Sequence, residues 1–293
     1  MMPSTDDVAA SRDPAGSPHA EDAAVSPAGR PSESNVAQDF WRDLRDSTRA
    51  RIGLGRTGDA LPTTDVLALR AAHAAARDAV HLPLDVATFT EQIATLGLGT
   101  PVTVASRAAD RAEYLRRPDL GRVPDDLTPV TATRADIGFV LADGLSPLAL
   151  SEHAPGLLAA LAGELCDRYT LAPPVIATQA RVALGDHIAE AMGVRTVLVL
   201  IGERPGLSVA DSLGIYLTHL PRPGRADAER NCISNIHPPD GLAYADAARV
   251  VAGLVAGARA LGRSGVDLKD TSRADSLAAA ETLTVDPPPA PTS

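Results

Sequence analysis

Five consecutive aliphatic residues, Val197 to Ile201, constrain the fold of this 293-residue chain more than any other stretch. An uninterrupted apolar run rich in β-branched side chains is typical of a strand covered on both faces in a parallel sheet. The run ends in Gly202-Glu203-Arg204-Pro205-Gly206, whose glycines and proline predict a tight turn. Open α/β sheets bind ligands at the carboxyl ends of such strands, so Glu203 is a candidate ligand-facing carboxylate.

The sequence on both sides of this strand alternates between strand and helix character. Short apolar runs predict further strands at Ile137–Leu141, Pro174–Thr178 and Cys232–Ile236, and a short strand at Pro101–Ala105 before them. The alternation is typical of an α/β domain with a mostly parallel sheet and right-handed crossovers. Caps and apolar spacing predict four helices, from Ser146-Pro147 through Leu165, from Val182 to Gly193, from Ser208 to Leu217 and from Tyr244 to Leu261. The third of them has Ser208-x-x-Asp211 as its capping box.

Composition divides the chain into four segments. Residues 1–36 are rich in Pro, Ser, Ala, Gly and acidic residues, which predicts a disordered N-terminal tail. Residues 37–134 are predicted to form a mainly helical subdomain, and residues 135–270 the α/β domain. The Ser, Ala and Pro-rich residues 271–293 are predicted to be a loose C-terminal tail.

Charge and cysteine content exclude several classes of protein. Asp and Glu outnumber Lys and Arg by 37 to 27, so the chain lacks the basic surface of a nucleic-acid-binding protein. No apolar run approaches the roughly 18 residues of a membrane-spanning helix, and we expect no membrane association. The two cysteines, Cys166 and Cys232, are too few for a disulfide framework or a zinc cluster, which fits a reducing cytosol.

Glu203 and Cys232 are the residues at the predicted ligand end that could carry chemistry. Glu203 could act as a general base, a metal ligand or a hydrogen-bond acceptor, or be only the exposed end of a strand. The acceptor role fits best, because no His or Asp stands at metal-ligand spacing from it. A nucleophilic Cys232 would need a nearby base, which the sequence does not show, so a small structural residue is the favoured interpretation. Cys166 shares the leucine face of its helix and is predicted to be buried.

The segment Gly53–Gly58 matches the G-x-G-x-x-G spacing of a dinucleotide-binding turn. That turn requires a buried strand before it and a helix that opens at it. Here an arginine-rich helix precedes the glycines and Pro62 follows them. We therefore interpret the segment as a glycine-rich connection packed against a neighbouring part of the chain.

Several short segments, in the same order over residues 40–270, closely resemble the small (light) subunit of ethanolamine ammonia-lyase. They are Ala50-Arg51-Ile52-Gly53-Leu54-Gly55-Arg56, Tyr114-Leu115-x-Arg117-Pro118-Asp119-Leu120-Gly121-Arg122, Val140-x-x-Asp143-Gly144-Leu145-Ser146, Gly185-Asp186-x-Ile188, Gly202-Glu203-Arg204-Pro205-Gly206-Leu207, Asp211-Ser212-Leu213, Asn231-Cys232-Ile233-Ser234-Asn235-Ile236 and Ser264-Gly265-Val266.

The resemblance implies an enzyme that depends on adenosylcobalamin and converts ethanolamine to acetaldehyde and ammonia by a radical mechanism. In this family the large subunit, a (β/α) barrel, holds the substrate and the catalytic residues. The small subunit covers the corrin from the other side with a Rossmann-like domain, here residues 135–270, within a larger hetero-oligomer. Carried over residue by residue, the corrin contacts fall on Val182, Glu203 and Cys232, with no catalytic or metal-binding residue expected in this chain.

The proposed contacts suit the chemistry of the cofactor. Cobalamin has many side-chain amides, and the carboxylate of Glu203 can accept their N–H groups. Val182 and Cys232 are expected to contribute backbone groups and apolar contact. Neighbours that could assist them are Arg204, Ser234 and Asn235.

Two other functions stay open on the sequence. One is an independent α/β enzyme that binds a nucleotide at Gly53–Gly58. The other is a purely structural partner of the large subunit, which would tolerate changes at the three predicted contacts. We expect a cytoplasmic location. In relatives the N-terminal end can direct the enzyme into a bacterial microcompartment, but the sequence of this tail shows no amphipathic helix that would do so.

Overall fold

The computed structural model describes residues 33–270 of the chain. It contains a six-stranded sheet and seven α-helices in this part of the sequence. The strands are β1 (Val102–Ala105), β2 (Ile137–Ala142), β3 (Val175–Thr178), β4 (Thr196–Gly202), β5 (Leu213–His219) and β6 (Asn231–Ile236). The helices are α1 (Glu33–Asp46), α2 (Thr63–His81), α3 (Val86–Ala94), α4 (Arg111–Arg116), α5 (Pro147–Leu165), α6 (Leu184–Met192) and α7 (Tyr244–Leu261).

The sheet has the order β1-β3-β2-β4-β5-β6. The first four strands of this order are parallel, and β5 and β6 continue the sheet in antiparallel pairs. An α/β fold with a mostly parallel sheet is therefore confirmed. A Rossmann-like domain is not confirmed, because the two antiparallel strands replace the last parallel units that such a fold would contain.

The central strands are apolar on both faces because helices cover both faces of the sheet. All seven residues of β4 are buried. Its alternate side chains point to opposite faces, so Leu198 and Leu200 pack with α3, α5 and α7, whereas Val197 and Val199 pack with α6. The prediction of a fully covered strand at Val197–Ile201 is thereby confirmed.

The predicted helix from Ser208 to Leu217 is wrong, because the chain forms strand β5 there. Leu213, Ile215 and Leu217 are buried at a period of two and pair with β4. Ser208 and Asp211 lie in the preceding loop, where Gly206 N–H donates to Val209 O at 2.7 Å. The capping pattern was misleading because tertiary pairing to β4 outweighs a local helix-start signal.

The segment before the α/β sheet differs from the prediction in two places. The helix α1 begins at Glu33, inside the predicted tail of residues 1–36; the remainder of that tail and residues 271–293 lie outside the described residues. Strand β1 agrees with the short strand predicted at Pro101–Ala105, but it pairs with β3 at the edge of the sheet and does not belong to a separate helical subdomain. A separate helical subdomain over residues 37–134 is therefore not confirmed, and its boundary stays a prediction.

The glycine-rich segment Gly53–Gly58 does not have the geometry of a dinucleotide-binding turn. Gly53 has a φ of +57°, and a Cβ at this position would lie 2.2 Å from the ring of Trp41. The Arg45 guanidinium donates to Gly53 O at 2.8 Å. No helix opens at the glycines, since α2 begins at Thr63. Gly53 is needed for a close approach to Trp41, as the interpretation of a packed connection predicts.

No helix in the described part of the chain is long and apolar enough to cross a membrane.

Candidate functional site

A cavity of about 280 Å³ lies at the carboxyl ends of β2, β3 and β4. From β2 the chain crosses to β3 on one side, and from β3 it crosses back over β2 to β4 on the other. The loops after β2 and β3 therefore leave toward opposite faces of the sheet, one to α5 and the other to α6, which opens a crevice of the kind that binds ligands in α/β sheets. The cavity is lined by Tyr114, Gly144, Leu145, Arg181, Val182, Ile201, Gly202, Glu203, Arg204 and Tyr216.

Two glycines hold the loops after β2 and β4 against each other. Leu145 N–H donates to Gly202 O at 2.9 Å. A Cβ at Gly202 would lie 2.1 Å from Ser146 O, and a Cβ at Gly144, where φ is +57°, would lie 2.3 Å from Gly202 O. Because Ser146 also caps α5 through its hydroxyl, any larger residue at Gly202 would disturb the start of that helix.

Glu203, the first residue after β4, is half-buried and held in a fixed orientation. Its Oε2 accepts hydrogen bonds from the Ser212 hydroxyl at 2.5 Å and from Asn235 N–H at 3.1 Å. Gly214 on β5 makes room for the side chain, since a Cβ there would lie 2.9 Å from Oε1. Among residues 33–270, Oε1 accepts no hydrogen bond, so Glu203 keeps one acceptor oxygen for a ligand.

Cys232 lies next to the cavity through its cross-strand pair with Tyr216, a residue of the cavity wall. The two side chains are joined by a hydrogen bond. Although the Cys232 residue is solvent-exposed, partial burial of its thiol raises the pKa, and the negative charge of Glu203 raises it further. Burial and the neighbouring Cys232 raise the pKa of Tyr216 to about 12. Both side chains are therefore neutral at physiological pH.

Val182 reaches the cavity from the connection between β3 and α6. It is half-buried, and its carbonyl accepts a hydrogen bond from Gly185 N–H at 3.0 Å. The structure thus brings Val182 and Glu203 to one cavity. Cys232 does not line it but is the cross-strand neighbour of Tyr216, which does. The wall also includes Arg204, whereas Ser234 is exposed on β6 and Asn235 contributes the N–H that holds Glu203.

Sequence reasoning missed the part of the cavity wall formed by Tyr114 and Arg181, and the second arginine, Arg111, that stacks on Tyr114. Tyr114 is fully buried, its hydroxyl donates to Ala180 O at 3.0 Å, and guanidinium groups stack on its ring, Arg111 at 4.8 Å and Arg181 at 4.4 Å from the centroid. Arg111 also lies 3.6 Å from the buried carboxylate of Asp143. Arg111 and Tyr114 are three residues apart on α4, but no spacing pattern joins them to Asp143 and Arg181, which lie in the loops after β2 and β3.

Burial shifts the pKa values of the ionisable groups in and around this cluster. Burial raises the pKa of Asp143, and the N–H groups of Gln179 and Ala180, at 2.8 and 2.9 Å from its oxygens, oppose that rise. Burial also raises the pKa of Tyr114 and lowers that of Arg111. These groups fix the loops after β2 and β3 and are not placed to exchange protons with a ligand.

The arrangement supports binding better than catalysis. In the described part of the chain, no group of three or more His, Cys, Asp or Glu side chains could hold a metal ion. Cys232 has a raised pKa and a neutral tyrosine as its neighbour, which is the opposite of an activated nucleophile. The prediction that Cys166 is buried is wrong: it terminates α5 at the surface, where the helix face no longer meets the core.

Comparison with known proteins gives one consistent match. The family model of the ethanolamine ammonia-lyase light chain (EutC) matches residues 38–269. The ethanolamine ammonia-lyase small subunit of Rhodococcus erythropolis is 67% identical over 248 residues, which cover 85% of this chain and 96% of that protein. The small subunit of Ralstonia nicotianae is 46% identical over 255 residues, covering 84% and 94%. That of Rhodopseudomonas palustris is 48% identical over 252 residues, covering 83% and 94%.

Proposed function

Because this chain belongs to the ethanolamine ammonia-lyase light-chain family, we propose that it is the small subunit of an adenosylcobalamin-dependent ethanolamine ammonia-lyase. The complex converts ethanolamine to acetaldehyde and ammonia. A large subunit holds ethanolamine and the catalytic residues, and this chain covers one side of the corrin. Adenosylcobalamin, when bound, supplies the radical chemistry, so the protein contributes binding, orientation and enclosure.

The free oxygen of Glu203 is the observation that carries this proposal. Cobalamin presents amide N–H groups around its corrin, and a carboxylate is a strong acceptor for them. Glu203 lines the cavity and keeps Oε1 as an acceptor while the Ser212 hydroxyl and Asn235 N–H hold Oε2, so the side chain is oriented before the ligand arrives. The free acceptor at Glu203 therefore matches the amide N–H groups at the periphery of a corrinoid.

The size of the cavity supports a shared site. At about 280 Å³ it lies just below the roughly 300–1,000 Å³ of pockets for drug-sized ligands, and cobalamin is larger than such ligands. This chain can hold only one edge of the cofactor. The large subunit must enclose the remainder, which is why we propose a hetero-oligomer as the active form.

The other predicted contacts have supporting roles. Val182 places its half-buried side chain on the wall of the cavity that Glu203 also lines, where it offers an apolar contact. Cys232 supplies a neutral thiol and its strand backbone beside Tyr216. None of these groups moves a proton at physiological pH. The two free cysteines of this chain suit a cytoplasmic enzyme, and we place the complex in the cytoplasm.

Co-expression of this chain with the large subunit tests the proposal. Deamination should require both chains and adenosylcobalamin; full activity of the large subunit alone would refute a role for this chain. Replacing Glu203 by alanine in the complex should weaken cofactor binding about ten-fold or more, because a hydrogen bond to a charged group is lost. Binding is measured by ultrafiltration with the complex in excess.

Glu164, an exposed glutamate on α5, provides the matched control. A Glu164→Ala complex should bind the cofactor as the wild type does. Equal affinities of the Glu203→Ala and Glu164→Ala complexes would remove Glu203 from the site and favour a purely structural subunit.

A further inference from the structure

Arg181 has a side chain that the fold positions but does not use for hydrogen bonding. It lies three residues after β3, lines the same cavity as Glu203, and stacks on Tyr114 with its guanidinium carbon 4.4 Å from the ring centroid. Stacking occupies only the face of the guanidinium and leaves the N–H edge free to donate. Its Nε is buried and has no acceptor in residues 33–270.

Arg111, which also stacks on the Tyr114 ring, is an arginine that the fold does use for hydrogen bonding. It donates to Val80 O at 2.6 Å and to Gly144 O at 2.8 Å, and it faces Asp143. Its Nη2 lacks a partner, but the side chain is anchored at two other atoms. The Arg181 side chain makes no such bond within the described residues. A buried donor without an acceptor costs free energy, so a ligand atom is the fitting partner.

Glu203 and Arg181 give the cavity one free acceptor and one free donor. Opposite charges in one cavity would ordinarily pair, yet no ion pair joins these two side chains, and each is held by other residues. A carboxylate ligand would suit Arg181 but be repelled by Glu203, and an ammonium ligand would suit Glu203 but be repelled by Arg181. A primary carboxamide suits both, since it donates through N–H and accepts through its carbonyl oxygen.

We propose that Arg181 and Glu203 together bind one primary carboxamide of the ligand. Arg181 donates to the carbonyl oxygen, and Oε1 of Glu203 accepts from the N–H. This inference rests on the proposed function, because the corrin periphery supplies such carboxamides. It assigns Arg181 a direct contact with the cofactor and makes the pair the element that distinguishes an amide from an acid.

The test compares cyanocobalamin with the monocarboxylic acids formed when one peripheral amide is hydrolysed. Dissociation constants are measured by ultrafiltration on the complex of both subunits, so the readout does not depend on turnover. The wild-type complex should bind one of the acid isomers at least about ten-fold more weakly than cyanocobalamin, because its carboxylate faces Glu203. Glu203→Gln should remove most of that discrimination, since a glutamine amide can donate to the acid.

Arg181→Gln should weaken binding of cyanocobalamin about ten-fold, with Arg181→Lys intermediate because a lysine keeps the charge but not the planar donor edge. Arg168→Gln is the matched control, as Arg168 is an exposed arginine 5.6 Å from the ring centroid of Tyr169 and lies outside the cavity wall. It should bind as the wild type does.

The outcomes separate the two proposals. A wild-type complex that binds no corrinoid would refute the proposed function itself. A complex that binds cyanocobalamin, but whose affinity is unchanged by Arg181→Gln, would refute only the role of Arg181. If Arg181→Gln does not fold, the acid isomers decide: equal binding of every isomer by the wild-type complex would overturn the carboxamide site.

Discussion

The ion pair between Asp186 and Arg230 offers a quantitative test of how the cavity is built. Both side chains are only 1% exposed, and the guanidinium donates to the two carboxylate oxygens at 2.7 and 2.6 Å. Arg230 also donates to the Thr218 hydroxyl at 2.8 Å and to Arg225 O at 3.0 Å. The pair joins α6 to β5, through Thr218, and to the residue that precedes β6.

Asp186→Asn should destabilise the protein by about 3 kcal/mol. Removing one partner of a buried ion pair costs about 3–5 kcal/mol, because the remaining charge stays buried without compensation. The lower value applies here, since Thr218 and Arg225 continue to accept hydrogen bonds from Arg230. For a domain of this size, about 2–4 °C of melting temperature accompany each kcal/mol, so we expect a fall of roughly 6–12 °C.

Chemical denaturation and thermal melts of the purified protein measure the effect. The double variant Asp186→Leu with Arg230→Met should recover most of the loss, because it removes both charges from the interior and fills the space. The exposed pair Arg249–Asp246 is the control, and Arg249→Met should cost less than about 1 kcal/mol. If Asp186→Asn were no more destabilising than Arg249→Met, the reasoning from burial would be refuted.

Three further predictions concern the cavity itself. Ser212→Ala should weaken corrinoid binding several-fold by releasing Glu203, whereas Ser212→Thr, which keeps the hydroxyl, should restore it; equal dissociation constants for both variants would contradict this role. Gly202→Ala should destabilise the protein by about 1–3 kcal/mol, because its Cβ would lie 2.1 Å from a backbone carbonyl of the facing loop, and an unchanged melting curve would contradict that contact. At pH 8 iodoacetamide should modify Cys232 more slowly than the exposed Cys166, because a raised pKa leaves less thiolate; Glu203→Gln removes a negative charge, lowers that pKa and should accelerate the reaction, as peptide mass spectrometry can measure.

The main elements of the sheet could be predicted because their signals are local. Val197–Ile201 is apolar at every position, and only a strand covered on both faces buries such a run. The cap at Ser146 with Pro147 predicts the start of α5 correctly, since both residues act on the first turn alone. The place of Glu203 at the carboxyl end of the sheet, in the cavity wall, could be predicted because it directly follows such a strand.

Errors arose where pairing across the sheet decides the outcome. Ser208-x-x-Asp211 has the pattern of a helix start, but the following residues pair with β4, and that pairing places Gly214 beside the Glu203 side chain. The buried position predicted for Cys166 failed for a similar reason, because spacing along a helix does not tell where the helix leaves the core.

By itself, the sequence determined the apolar central strands, the turn that carries Glu203, and the motifs that identify the family. Only the tertiary structure decided which side chains share the cavity with Glu203. Arg181 and Tyr114 come from separate loops and helices, and nothing in their spacing joins them. They meet because the crossovers after β2 and β3 leave on opposite faces of the sheet, and this depends on the order of strands in the sheet, which no local pattern encodes.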